Sequence, residues 1–312
     1  MKYLFCYITL SLLNTICFAQ PFALNTINQV FSSPIDYKYQ QFKLLNCDSS
    51  TFEKEAIFFG IESKSKAIFS NSIFKSKCSF KKCKFPRGAN FDFAEFYKKV
   101  DMGYLKSEEK MSFYETYFHQ NFFLWMGTFD ASVTFTSNKF NGDAIFIGSI
   151  FQDLTLNDAK FSGETRFDEC VFANSLTIKN TSIAKDINFQ NAQLGNHVVF
   201  DGIESEGFFQ FNGVVLPDTL ELKNLDLTLP LDFDNANFSK NNHCLVNLEN
   251  VNISDLWLDF RFFTLWFSPY SQLDNTARNK LFNSLIQQEK KRKRHKSADA
   301  LEKQMNLFRN VN

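Results

Sequence analysis

Residues 134–172 read TFTSNKFNGDAIFIGSIFQDLTLNDAKFSGETRFDECVF, and a large apolar residue returns every five or six positions: Phe135, Phe140, Phe146, Phe151, Leu156, Phe161, Phe167 and Phe172. Two positions ahead of most of them stands a small residue, as at Ala144, Ser149, Ala159 and Cys170, and Asn, Asp, Gly, Ser and Lys fill the intervals. Self-similarity at a short fixed period is the mark of a solenoid.

Outward from this stretch the spacing alternates five and six, so each of two columns recurs every eleven residues. One column reads Phe58, Phe69, Phe80, Phe91, Met102, Phe113, Leu124, Phe135, Phe146, and the other Ser63, Phe74, Phe85, Phe96, Ser107, Phe118, Phe129, Phe140, Phe151. After a one-residue slip past Phe151 they resume as Leu156, Phe167, Ile178, Phe189, Phe200, Phe211, Leu222, Phe233 and as Phe161, Phe172, Ile183, Leu194, Ser205, Leu216, Leu227, Phe238. A second slip leads to Val246/Leu248, Val251/Ile253 and Leu256/Leu258. An eleven-residue period also suits a helical coiled coil. The small and large residues of each unit are two apart, however, and share a face only on an extended chain. Asn, Gly, Asp and Ser in the intervals favour turns, and the spaced leucines of a leucine-rich repeat are missing.

The unit, a small residue followed two later by Phe or Leu, as in Asn235-Ala236-Asn237-Phe238 and Asn157-Asp158-Ala159-Lys160-Phe161, resembles the pentapeptide-repeat family. That resemblance implies an all-β solenoid, a right-handed quadrilateral β-helix with one unit per side. Every second unit carries one residue more than the family's five, so a coil needs about 22 residues and residues 22 apart stack, Phe58 on Phe80 and Phe118 on Phe140. We expect the extra residue to sit in a β-bulge at a corner. Roughly nine coils at about 4.8 Å apiece make a rod on the order of 45 Å long. Its open ends require caps.

The expected organisation is a signal peptide (1–19), an N-terminal cap or loop (20–47), the β-helix (48–258), and an aromatic transition with C-terminal helices (259–312). Lys2 followed by the apolar run Tyr3 to Ala19 has the form of a secretory signal, with cleavage after Ala19; cleavage ahead of Cys17, as in a lipoprotein, is disfavoured by the bulk of Ile16. An exported protein follows, periplasmic or secreted, or peripheral to the outer membrane. The more charged segment Lys98–Lys110 is expected to be a weak coil or an outward loop. Cys47, Cys78, Cys83, Cys170 and Cys244 remain after signal removal; Cys78, Cys83 and Cys170 occupy the small inward slot and read as buried small hydrophobes, with a Cys78–Cys83 bridge open. His119, His197, His243 and His295 are scattered, so no metal or cofactor is expected, and no phosphate loop, nucleophile elbow or HExxH motif marks an enzyme.

The aromatic stretch 257–270 either closes the last coil or forms an interface, with Trp257 and Trp266 as candidate contacts. Ser271 to Asp274 has the form of a capping box, and Leu273, Ala277, Leu281, Phe282, Leu285 and Ile286 keep helical spacing. Ser297 is placed to cap a second helix. From Ala277 onward there are ten Lys and Arg against three Asp and Glu, whereas residues 20–276 hold 23 against 31. The basic run Lys290, Lys291, Arg292, Lys293, Arg294, Lys296 is the second candidate contact, toward an anionic surface. Some pentapeptide-repeat proteins mimic duplex DNA and occupy a topoisomerase; export and a modest rod charge speak against that here. The expectation is a rigid, non-enzymatic interaction module of the bacterial envelope whose partner is a protein or envelope component, with no nucleic acid and with a homodimer possible.

Overall fold

The computed structural model describes residues 21–238, 243–268 and 273–311; the expected signal peptide lies outside them. Each side of the solenoid is a strand as short as two residues. One turn runs Ile73–Phe74, Cys78–Ser79, Lys84–Phe85, Ala89–Asn90. Each strand pairs in parallel with the one 22 positions on: Ile73 with Glu95, Cys78 with Val100, Lys84 with Lys106, Ala89 with Met111. Repetition gives a ten-stranded, an eleven-stranded and a fifteen-stranded sheet. The last covers two sides, because strands such as Thr128–Thr136 run around a corner. The result is a four-sided parallel β-solenoid of about eleven coils, followed by helices α1 (Asn275–Lys291) and α2 (His295–Val311). The faces are numbered here by their inward residues: Phe74 on the first, Phe80 on the second, Phe85 on the third, Phe91 on the fourth. No described helix is long and apolar enough to cross a membrane.

The alternation of five and six reflects two kinds of corner. Two residues past the central residue of the second and fourth faces the backbone enters the left-handed region, as at Asn71 (φ 56°), Lys82 (60°), Phe93 (60°) and Gly148 (65°). Most of the other corners take the sixth residue without a left-handed backbone; Gly88 (φ 71°) and Gly195 (φ 64°) are exceptions. Among the described residues of the 48–258 ladder, bulge-like register shifts are confined to Phe129/Ser132 and Phe151/Asp153, so the expected bulge is local and not general. There Phe151 reaches Leu154 in three steps where Phe129 reaches Val133 in four. The slip seen in the sequence is one residue missing from a single corner.

The ladder stacks at every second rung. Phe58 lies on Phe80 at 5.0 Å and 2°, Phe69 on Phe91 at 5.2 Å and 6°, and Phe118 on Phe140 at 4.8 Å and 9°. All the ladder phenylalanines are buried except Phe238, half-buried against Phe262. Where a central ring is missing the volume is restored nearby: Phe122 fills a small slot two before Leu124. Ser63 and Ser107 stand at central positions because each hydroxyl bonds a main-chain carbonyl, Ser63 to Ser65 at 2.8 Å and Ser107 to Glu109 at 2.8 Å. The slot after each left-handed corner points at a buried carbonyl one coil earlier, and Ser72, Thr116 and Cys83 all donate to it. That geometry explains why Ser, Thr and Cys alternate with Ala there. The segment Lys98–Lys110 is an ordinary coil, with strands at Val100–Asp101 and Lys106–Ser107.

The two ends differ from each other. Within the segment 20–47, expected as a cap or loop, the described residues 21–47 form a full coil: Val30–Phe31 pairs with Thr51–Phe52 and Ile35–Asp36 with Ala56–Ile57. The signal was hidden because Phe31, Ile35 and Tyr37 replace the regular rings and stay partly exposed. At the other end the last strands, Leu256–Trp257 and Phe263–Leu265, are sealed by side chains from the helices. Arg292 donates to Leu256 O (2.7 Å) and Ser254 O (2.8 Å), Gln304 accepts from Leu265 N (3.0 Å) and donates to Phe263 O (2.9 Å), and Ser297 accepts from Phe260 N (2.9 Å). These groups take the place of the next coil and mask an edge that invites further pairing. Ser297 therefore serves the solenoid and is not the cap of α2, which begins at His295. The N-cap of α1 is Asp274, accepting from Ala277 N at 2.7 Å, and Ser271 lies outside the described residues.

Phe91 and Phe93 offer a direct comparison. Phe91→Ala empties the core and should cost about 3–5 kcal/mol, whereas Phe93→Asn relieves a left-handed φ at an exposed corner and should be neutral or stabilising by up to about 1 kcal/mol; urea denaturation of both variants measures the contrast. Cys47, Cys78, Cys83, Cys170 and Cys244 are free and buried. Burial pushes their thiols up, Cys47 to about 11. With so little thiolate, all five should resist a thiol reagent in the folded protein and react after denaturation.

Candidate functional site

On each side of the solenoid the residues flanking a central one point outward. In most coils of the second face these are small or polar: Ser79 and Lys81, Asp101 and Gly103, Asn188 and Gln190, Gln210 and Asn212. Three coils break the rule: that of Phe58, flanked by Ile57 and Phe59, and an adjacent pair further along. Phe123 and Trp125 flank Leu124, Ile145 and Ile147 flank Phe146, and all four are half-buried on the flat face. Tyr104 and Met126, at the left-handed corners beside them, are 40% and 46% exposed. Glycines make this surface flat: a Cβ on Gly103 would lie 2.5 Å from Trp125 Nε1, and one on Gly148 2.8 Å from Met126 Sδ. The indole therefore rests on the neighbouring coil's backbone.

Lysines rim the rings on the N-terminal side. Lys81 Nζ lies 4.9 Å from the Trp125 ring and 5.8 Å from that of Tyr104, Lys99 lies 4.2 Å from Phe123, and Lys82 lies 5.6 Å from Phe59. Each such contact is worth about 0.5–1 kcal/mol at an exposed site, enough to orient the ammonium without neutralising it. Around the corner, on the first face, His119 stacks on Tyr97 (4.4 Å) and Tyr117 (3.9 Å) and meets Glu95 Oε1 at 2.7 Å. A His beside a Glu is a familiar acid–base pairing, but here the ring is clamped on an open face and lines no cleft. The described residues contain no group of three His, Cys, Asp or Glu able to hold a metal.

The charge of the rod is divided lengthwise. Residues 64–110 carry twelve Lys and Arg against five Asp and Glu, and residues 111–276 carry eight against 21, net +7 and −13. The aromatic patch sits at the boundary. Averaging over the whole repeat hides this division. The readable signal was local, large apolar residues on both sides of Leu124 and of Phe146.

Of the residues singled out for interaction, several have internal work. Arg294 bonds Asp234 (2.9 Å) and Glu289 (3.0 Å), Lys290 pairs with Glu302 (2.7 Å), and Arg292 lies 5.1 Å from the Trp257 ring while holding the strand edge. Lys291, Lys293 and Lys296 are exposed. Trp266 is half-buried and its main-chain N–H donates to Val246 O at 2.9 Å. Phe260 and Phe263 are buried and Phe267 packs on Phe282 and Phe308, so most of the aromatic stretch closes the last coil. Trp257, 39% exposed, walls a notch of about 400 Å³ with Phe208, Pro230 and Asp232. Burial pushes the Glu289 carboxyl up, against the pull of Ser297, Arg294 and Arg292.

Arg294→Ala leaves Glu289 buried beside a single, more distant guanidinium. The docking of α1 and α2 should weaken by about 3 kcal/mol, the cost of stranding one member of a buried pair. Hydrogen exchange should accelerate across 275–311 while the central coils keep their protection.

No protein-family model matches the chain and no curated protein matches it. Among solved structures it is similar to QnrB1, a plasmid-mediated fluoroquinolone resistance protein, with 19% identity over 84% of this chain and 96% of that chain and a TM-score of 0.25.

Proposed function

We propose that this chain is an exported, non-enzymatic interaction rod of the bacterial envelope, and that it docks its partner through the aromatic and lysine surface of the second face. One observation carries the reading: Phe123, Trp125, Ile145, Ile147, Tyr104 and Met126 stand together on the outside of a scaffold whose core is already filled. Clustered solvent-facing apolar groups of this kind mark a docking site. A parallel solenoid holds such groups rigidly, so binding orders little that is not already ordered. The signal-like N-terminus supports export. The basic run contributes less than its length suggests, because Lys291, Lys293 and Lys296 are the exposed lysines left in it. At about 1 kcal/mol per lysine near an anionic surface, it is an auxiliary contact and not an anchor.

A second reading has the net charge of −13 over residues 111–276 in its favour. Acidic coils of this kind can stand in for duplex DNA on a topoisomerase.

An epitope-tagged chain should appear in the periplasm or medium, and Trp125→Asp should abolish capture of its partner there while leaving the circular dichroism spectrum unchanged. A cytoplasmic location, together with inhibition of DNA supercoiling by purified gyrase, would replace the first reading with the second.

A further inference from the structure

The second face is complementary to itself when reversed. Taking the coil of Phe123 and Trp125 as centre, the coils two before it carry Lys77, Lys81 and Lys82, and those two after carry Glu164, Asp168 and Glu169 at the same three lateral positions. One coil before the centre is Lys99; one coil after, in the same column, is Asp143. A two-fold axis lying in the face and perpendicular to the rod preserves lateral position and reverses the order of coils. Two copies so related set Lys77 against Glu164, Lys82 against Glu169, Lys81 against Asp168 and Lys99 against Asp143, each pair twice.

From this pattern we infer that the second face pairs with a second copy of the chain, antiparallel, with Phe123, Trp125 and Met126 on the axis. The inference rests on the preceding assignment of this face as a docking surface and names its occupant. Isologous interfaces require that residue i meets j and j meets i, and four charge pairs in three columns satisfying that by accident, about one apolar centre, is a demanding coincidence. The Trp125 indole, lying over Gly103, faces the coil of Ile147 in the second copy, apolar group against apolar group. Among the described residues Lys77, Lys82, Lys99, Glu164 and Glu169 are exposed and form no ion pair within the chain. Asp168 is already held by Arg166 at 3.0 Å and is the weakest of the four acids. Other positions are not matched: Asp101 falls opposite Ile145, and at the rim Glu55 falls opposite Asp186, Ile57 opposite Asn188 and Phe59 opposite Gln190. Seven overlapping coils at about 4.8 Å apiece give each copy a footprint on the order of 600 Å², near the lower bound for specific interfaces. The pair is therefore concentration-dependent and weakened by salt.

Sedimentation equilibrium of the full chain tests it. The wild type should dimerise at micromolar concentration, and either Lys77→Glu/Lys82→Glu or Glu164→Lys/Glu169→Lys should weaken the dimer at least tenfold. Combining all four substitutions in one chain should restore it. Carbodiimide cross-linking of the unaltered protein should join Lys82 to Glu169, which lie some four coils, about 19 Å, apart within one chain and so can be joined only between copies. A chain that stays monomeric, or a dimer indifferent to both charge reversals and lacking that cross-link, overturns the pairing. If Trp125→Asp still abolishes partner capture in that event, the docking surface stands and only its proposed occupant is wrong.

Discussion

Phe69, Phe91, Phe113 and Phe135 lie one above another at 5.2, 5.0 and 4.4 Å, and every other feature of the rod is arranged so that such columns can continue. Ring stacking at the spacing of parallel strands requires the path around each coil to close after a constant number of residues. A residue gained or lost must therefore be absorbed at a corner, where no ring is displaced. The coil that loses one shows this: Phe140 lies over Phe161, 21 residues on, at 4.6 Å. Further along, Leu222 pairs with Leu248, 26 residues on, and the extra length leaves the stack intact.

Stacking of identical coils has no natural end, and the chain treats its ends differently. At the C-terminal end Arg292, Ser297 and Gln304 supply the hydrogen bonds a further coil would have made. The Arg294–Glu289 contact ties that hairpin down from within. Charges that look in the sequence like a surface for partners are thus in part the fastening of a lid. At the N-terminal end the described residues finish in a coil whose rings are only partly covered.

The outer surface obeys weaker rules, which is why it carries information. Outward positions of a solenoid need only be soluble and compatible with strands. A stripe of Phe123, Trp125, Ile145 and Ile147 is therefore not explained by the fold, nor is the reversal of charge from +7 to −13 across it. Catalysis needs convergent groups in a sheltered site; the His119–Glu95 contact lies on an open face between two tyrosines. Recognition asks only for a rigid and distinctive surface.

The sequence by itself determined the coil length, the identity of nearly every stacked ring and the position of the first slip. A two-residue-wide strand reports its inward side directly through the period, and Phe58, Phe80 and their successors need no other information. It did not reveal that residues 21–47 coil, because Phe31, Ile35 and Tyr37 depart from the pattern while still meeting the strands below. Nor did it separate the lysines and arginines of 290–296 into fastenings and free charges, since that depends on which carbonyls and carboxylates lie beneath them. Only the tertiary structure brought Lys81, Trp125 and Asp168 onto one flat face. Residues some 22 apart become neighbours once the coil closes, and an electrostatic pattern across coils exists only in that folded register.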